Sequence, residues 1–200
     1  MNQENPTTAL LLLDYQVALC QEGPHTRMPP LVEQIQKRDV LTNAAKVLQQ
    51  ARTAGLFVAH VRLAFDPTYT LRTNRSARFD AYPNSRAMLR DSEEAKIVED
   101  LAPIDGEPVV DKGCVDPFVG TPLLNALYAE GVQRVLMGGV ATNLVVESAA
   151  RHATDAGLDV TVVEDMCASF DPDLHDFSMT KIMPMFATVR SSADVLGDLS

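Results

Sequence analysis

The chain has 200 residues, of which 46% are hydrophobic and 22% charged, and its formal net charge is −10. This length suits one α/β domain with a sizeable core, and the negative charge argues against non-specific binding to nucleic acid or to an anionic membrane surface. No apolar run approaches the roughly 18 residues of a membrane span, and residues 1–8 lack the pattern of a secretory signal. We therefore expect a single cytoplasmic domain over residues 1–200.

Two apolar runs in the first third of the chain are predicted to be buried strands. Ala9–Leu13 ends in Asp14, and Leu56–Val61 follows a helix predicted over Asp39–Gly55. Continuously apolar strands are typical of parallel sheets that are covered on both faces. Ligands of such sheets bind at the carboxyl ends of the strands, so Asp14 is predicted to lie at the binding edge. From the residues alone, it could equally cap a turn. The stretch Val17–Asp39 between these elements is predicted to be a long loop.

A long segment without clear periodicity, Arg62–Arg90, follows the second strand. It contains six arginines against two aspartates, a local excess of four positive charges. Irregular segments of this length often carry function, and guanidinium groups match the geometry of carboxylates. Two interpretations stay open: a solvated loop or subunit contact, or a segment in which one or two arginines bind a substrate carboxylate.

The middle of the chain is predicted to contain a short charged helix and a short strand. Asp91–Leu101 has a helical composition, and Val109–Val110 is apolar and is followed closely by Lys112. An ammonium group after a parallel strand lies at the same sheet edge as the carboxylate after the first strand. Such a pair suits proton transfer, because the cation tunes the proton affinity of the carboxylate.

The last third of the chain reads as a βαβ unit and a final helix and strand. Apolar Val135–Met137 leads through a turn of small residues to a helix predicted over Asn143–Ala156, with Thr142 as its cap. Val160–Val163 is the next strand, since strand, helix and strand within about thirty residues form a parallel pair. A helix from Asp171 to about Ile182 and a strand over Phe186–Val189 are predicted to follow.

Three motifs identify a family resemblance. Gly139-Val-Ala-Thr-Asn143, followed by Leu-Val-Val-Glu, resembles the isochorismatase-like (cysteine hydrolase) superfamily, and LLLLDYQ and the Phe-Val-Gly-Thr turn at residues 118–121 are similar to other motifs of that family. The resemblance implies a three-layer α/β/α fold with a mainly parallel sheet of six strands. It also implies that Asp14 is the catalytic acid/base and Lys112 its partner, that the Val140–Ala141 peptide is cis, and that the protein is a homo-oligomer. Substrate-binding positions implied with this pair are Gln16, Arg62, Phe118, Val140, Ala141, Thr142 and Val145.

The position at which most relatives carry a nucleophilic cysteine is Val145 here. A hydrocarbon side chain cannot form the acyl-enzyme of the amide-hydrolysing branch. Three hypotheses follow: hydrolysis of a vinyl ether as in isochorismatase, for which Asp14 and Lys112 suffice; hydrolysis of a small amide by water; or a non-catalytic protein that binds a small acid or acts through assembly.

The remaining cysteines and histidines predict neither a second nucleophile nor a metal site. Three widely spaced cysteines indicate reduced thiols, and Cys114 is interpreted as a buried filler. The four histidines are dispersed, and His175 is interpreted as a packing residue. Neither GxGxxG nor GxxxxGK[ST] occurs. We expect a small-molecule substrate, no metal and no cofactor.

Overall fold

The computed structural model describes residues 7–199 and contains one sheet of six strands, all parallel. Their order across the sheet is β3-β2-β1-β4-β5-β6. The strands are β1 (Thr8–Leu13), β2 (Phe57–Leu63), β3 (Val109–Lys112), β4 (Arg134–Gly139), β5 (Asp159–Val163) and β6 (Thr188–Arg190). The predicted α/β fold with a mainly parallel six-stranded sheet is confirmed.

Helices cover both faces of this sheet because its central strands are apolar on both sides. Along β1, Leu11 and Leu13 pack in one core cluster, while Leu10 and Leu12 pack in a second cluster on the opposite face, as the two-residue period of a strand requires. The α-helices are α1 (Val17–Cys20), α2 (Pro29–Lys37), α3 (Val40–Thr53), α4 (Ala77–Ser85), α5 (Leu123–Ala129), α6 (Glu147–Asp155), α7 (Pro172–Phe177) and α8 (Ser192–Asp198). Among the described residues, none of the helices combines the length and apolar character needed to span a membrane.

Two local predictions were wrong, and two helices were missed. The expected loop over residues 17–39 contains α1 and α2, because Pro29 suits a first helical turn and Leu31, Val32 and Ile35 are buried along one face. The arginine-rich segment contains α4, and residues 91–101 form two short 3₁₀ turns, Glu93–Ala95 and Glu99–Leu101, in place of a helix. The helix α8 was missed, although Ser191 and Asp194 form a capping box at its start.

A partly buried ionic cluster links α3 to β2 and to the segment before β3. Glu107 accepts hydrogen bonds from Arg52 Nε at 2.7 Å and Nη2 at 2.8 Å, and it contacts His60 Nε2 at 2.9 Å. Burial acts to raise the pKa of Glu107, but the hydrogen bonds from Arg52 and His60 outweigh it and lower the pKa to about 2. The ionised carboxylate is therefore favoured by the fold.

We expect Glu107→Gln to lower the free energy of unfolding by about 2–3 kcal/mol at pH 7, since a lowered pKa in the folded state contributes stability above the ordinary pKa. This contribution disappears as the pH falls from about 4.5 towards 2. Urea unfolding of both proteins between pH 7 and pH 3 checks the effect, with the exposed Glu130→Gln as control. A difference that does not shrink on acidification would contradict the role of the charge.

Candidate active site

Asp14 and Lys112 form a buried ion pair at the carboxyl ends of the strands. Asp14 directly follows β1, has a left-handed backbone (φ 60°), and donates its N–H to Val61 O at 2.9 Å. Lys112 is the last residue of β3, and its Nζ lies 2.8 Å from Asp14 Oδ2. Their side chains are 8% and 2% exposed. The structure thus brings together the two side chains for which a catalytic role was predicted.

Lys112 is held rigidly by its neighbours. Besides the carboxylate, its Nζ donates to Cys114 O at 2.9 Å and to Val115 O at 3.1 Å. An ammonium group has three N–H donors, so all of them have acceptors. The backbone between Lys112 and Cys114 is equally constrained, because a Cβ on Gly113 would lie 1.7 Å from Leu71 O. Lys112 is therefore suited to orient Asp14 and has no N–H left for a substrate.

The two carboxylate oxygens of Asp14 have different environments. Oδ2 pairs with Lys112, whereas Oδ1 is buried and makes no hydrogen bond within residues 7–199. Burial raises the pKa of Asp14 above its ordinary value, against the opposing effect of the Lys112 ammonium. A raised pKa makes the protonated acid more accessible, and the free oxygen is the one that can exchange a proton with a ligand.

The turn after β4 forms another wall of the site. A Cβ on Gly139 would lie 2.4 Å from Leu13 O, so glycine lets β4 approach β1 closely. The peptide bond between Val140 and Ala141 is cis. A π-helical turn over Thr142–Val146 then leads into α6.

A cavity opens between Asp14, Lys112 and this turn. Its free volume is about 30 Å³, enough for a water molecule and well below the roughly 300 Å³ of common small-molecule sites. A substrate therefore has to displace side chains of the covering helices α1, α2 and α4. The lining residues are Asp14, Leu19, Met28, Leu31, Leu63, Arg78, Phe79, Tyr82, Lys112, Val115, Val140, Ala141, Leu144 and Val145.

Five of the nine predicted site residues line this cavity, and four do not. Gln16 is buried and bonds Leu63 through both ends of its amide, and Arg62 is paired with Asp111 at 2.6 Å. Phe118 packs in the core against the His152 ring, with 4.8 Å between ring centroids. The geometry therefore offers no support for substrate contacts by these three side chains.

Thr142 is the fourth predicted residue that does not line the cavity, and the prediction that it caps a helix was wrong. No side-chain hydrogen bond caps the turn that starts there. The Thr142 hydroxyl is fully buried and lies 2.7 Å from His175 Nδ1. His175 follows 33 residues later, so local spacing gave no sign of this partner.

Sequence reasoning missed the helices that cover the cavity. It could not select among the arginines of residues 62–90, but the structure places Arg78 of α4 in the lining. Arg72 pairs with Asp80, and Arg62 and Arg90 both pair with Asp111. Arg78 forms no ion pair within the described part of the chain and contributes a positive potential at Asp14. In the sequence, only the positive net charge of residues 62–90 pointed to this segment, and it did not distinguish Arg78 from the other arginines.

None of the three cysteines of the chain lines the cavity. Cys20, Cys114 and Cys167 are all buried and unpaired, and burial raises the pKa of Cys20 far above the neutral range and that of Cys167 to about 12. The thiols of Cys20 and Cys167 are therefore poor nucleophiles. Across residues 7–199, no group of three or more His, Cys, Asp or Glu side chains is arranged to hold a metal ion.

Comparison with known proteins places this geometry in a family. The model of the Isochorismatase domain matches residues 8–194. The chain belongs to the isochorismatase family. It is 27% identical over 195 residues to the uncharacterized isochorismatase family protein YecD of Escherichia coli O157:H7, with 96% of each chain covered. It is 25% identical over 191 residues to maleamate amidohydrolase of Pseudomonas putida, covering 96% of this chain and 86% of the relative.

The solved structures agree with this assignment. An isochorismatase family protein from Burkholderia thailandensis superposes with a TM-score of 0.80 at 26% identity, with 98% of this chain and 97% of that chain covered. The isochorismatase-like fold predicted from the three motifs is confirmed.

Proposed function

We propose that this isochorismatase-family protein hydrolyses a small carboxylate-bearing substrate by proton transfer from Asp14 and attack by water. One observation carries the proposal: the buried Asp14 carboxyl has Oδ2 bound to Lys112 and Oδ1 free beside a cavity that is lined by Val145 and by no cysteine. Proton transfer is the chemistry that this pair supplies. The reaction that suits it best is hydrolysis of a vinyl ether.

The steps of this reaction balance without a covalent intermediate. Protonated Asp14 gives its proton to the terminal carbon of the C=C bond, and the ether carbon becomes an oxocarbenium ion. Water adds to that carbon and returns a proton to the Asp14 carboxylate, which Lys112 keeps oriented. The hemiketal then collapses: its C–O bond breaks, the hydroxyl proton moves to the departing oxygen, and a ketone and an alcohol are released. The net change is the addition of one water molecule.

The rest of the cavity favours a substrate with an apolar body and one anionic end. Apart from Asp14, Lys112 and Arg78, its lining is mainly aliphatic and aromatic. All the N–H donors of Lys112 have acceptors, so Arg78 is the cation left to bind a carboxylate. This narrows the hypothesis of an arginine that binds a substrate carboxylate from residues 62–90 to Arg78.

Amide hydrolysis is the second candidate, since maleamate amidohydrolase is among the relatives. In that case Asp14 acts as a general base towards water, and the carboxylate of the substrate is bound in the same way. A base needs the ionised form, which the raised pKa of Asp14 disfavours at low pH. The two reactions therefore predict opposite pH limbs for the Asp14 titration: activity lost above it for the vinyl ether and below it for the amide.

Turnover in D2O distinguishes the candidates. With isochorismate, protonation at carbon places one solvent deuterium in the methyl group of the released pyruvate, which mass spectrometry detects at short times. Amide hydrolysis of maleamate forms no new C–D bond. Activity should survive iodoacetamide in either case, because no thiol lines the cavity. If neither substrate is turned over while calorimetry detects binding of small carboxylic acids, the protein is a non-catalytic binder.

We expect Arg78→Met to raise KM for a carboxylate-bearing substrate by about ten- to a hundredfold, because a charge-assisted bond is worth about 1.5–3 kcal/mol. The effect on kcat should be smaller, since the lost contact exists before and during the reaction. Steady-state kinetics check this, with Arg75→Met as control for loss of a nearby exposed positive charge outside the cavity lining. Equal effects of the two variants would assign Arg78 only a general electrostatic influence.

A further inference from the structure

A chain of polar contacts runs behind the cavity wall. Glu164, at the end of β5, pairs with Arg38 after α2 and lies 2.9 Å from His175 Nε2. His175 Nδ1 in turn lies 2.7 Å from the Thr142 hydroxyl. Both His175 and Thr142 are buried, with 1% and 0% exposure. These polar contacts link α2, β5 and α7 to the turn that lines the cavity.

The direction of each hydrogen bond follows from the charge of Glu164. Glu164 is ion-paired with Arg38, and an ionised carboxylate can only accept hydrogen bonds, so Nε2 of His175 carries a proton and donates it to Glu164. The hydrogen bond from His175 and the Arg38 guanidinium keep the pKa of Glu164 below its ordinary value. In neutral imidazole the other nitrogen is then an acceptor, and Thr142 donates its hydroxyl proton to Nδ1. Arg38 supports this arrangement of hydrogen bonds, because besides pairing with Glu164 it donates from Nε to Cys167 O at 3.3 Å.

Thr142 lies where such a contact affects the site. It directly follows the Val140–Ala141 peptide and precedes Val145, all of which line the cavity. Its backbone N–H donates to Ala168 O at 2.9 Å, so backbone and hydroxyl fix the residue from two sides. The hydroxyl contact is made with a side chain that itself cannot rotate freely, since Glu164 holds its other nitrogen.

We infer that His175 is a positioning residue, which holds the Val140–Val145 wall of the cavity through the Thr142 hydroxyl, with Glu164 fixing its tautomer. As a contribution to turnover this rests on the proposed function. The hydrogen-bond order and the rigidity of the turn do not depend on it. His175 itself does not line the cavity and so acts only through Thr142. The expectation that it merely packs is thereby extended to a role at the site.

Two variants of His175 test its hydrogen bonds to Thr142 and to Glu164 separately. Asparagine places its Oδ1 near the position of Nδ1 and can still accept from Thr142, whereas glutamine places its amide nitrogen near Nε2 and can only reach Glu164. We expect His175→Gln to lower kcat by about tenfold or more, because small displacements at a reacting centre are costly. The fold-loss of kcat in His175→Asn should be less than about a third of that in His175→Gln. The inference would be overturned if the two variants lost kcat equally and in proportion to their losses of unfolding free energy.

Thr142 supplies the matched pair. Thr142→Ser keeps the hydroxyl and should retain most of the activity, while the isosteric Thr142→Val should resemble His175→Gln. Similar kcat values for Thr142→Ser and Thr142→Val would show that the hydroxyl has no positioning role.

A readout without substrate keeps this test separate from the proposed reaction. In ¹⁵N spectra of the wild type, His175 Nδ1 should be unprotonated, and Thr142→Val should speed amide exchange at residues 140–145 relative to Thr142→Ser. A protonated Nδ1, or equal exchange in the two variants, would overturn the inference. An inactive wild type would instead count against the proposed function alone.

Discussion

Replacing Asp14 with asparagine should lower kcat by about 10²–10⁴-fold, the usual contribution of a positioned acid or base. The substitution keeps the size of the side chain, an oxygen that can accept from Lys112 Nζ, and a residue type that tolerates the left-handed backbone at this position. What it removes is the proton of the acid and its return to the carboxylate. Steady-state kinetics on the substrate identified by the D2O experiment measure the loss.

The pH profile gives the same prediction a second readout. If Asp14 is the proton donor, kcat/KM of the wild type should fall as the pH rises through its raised pKa, and this limb should vanish in the residual activity of Asp14→Asn. Asp105→Asn, an exposed loop aspartate, should leave both rate and profile unchanged. An Asp14→Asn enzyme that keeps more than about a tenth of the wild-type rate would contradict the proposal and would show that Asp14 is not the group that transfers the proton.

The candidate pair could be found from the sequence because parallel strands impose a simple rule. Asp14 follows β1 and Lys112 ends β3, and the carboxyl ends of parallel strands share one edge. Two strands that flank β2 therefore bring these residues together although 98 positions separate them in the chain. The motifs indicated the residues, and the strand order places them on the same edge of the sheet, where their side chains meet across the end of β2.

The covering side of the cavity could not be predicted in the same way. Met28, Leu31, Phe79 and Tyr82 approach it from α2 and α4, which are short helices within segments rich in proline, arginine and polar residues. Their positions depend on tertiary packing and not on a period of the local sequence. The prediction for Thr142 failed because a capping threonine precedes its helix, whereas the π-helical turn begins at Thr142 itself and Ala141 is in the cap position. The Thr142 hydroxyl bonds instead to His175, which is distant in the sequence.

Stability provides a test of the ion pair that does not require a substrate. We expect Lys112→Met to lower the free energy of unfolding by about 3–5 kcal/mol at pH 7, the usual cost of leaving a buried charge without its partner. The double variant Asp14→Asn/Lys112→Met should recover most of this loss, because neutral groups need no compensation in the interior. Urea unfolding measures the coupling, and Lys46→Met, at an exposed position of α3, controls for the change in net charge.

The dependence of this effect on pH identifies its origin. A carboxyl whose pKa is raised by the fold destabilises it above its ordinary pKa, and this penalty disappears when the group is protonated. The loss in Lys112→Met should therefore be largest at neutral pH and shrink on acidification, whereas the double variant should show no such trend from Asp14. If the double variant stays as unstable as Lys112→Met, the cause is instead the loss of the lysine's bonds to Cys114 O and Val115 O. In that outcome the ammonium serves mainly to hold the loop after β3, and the proton affinity of Asp14 is set by burial alone.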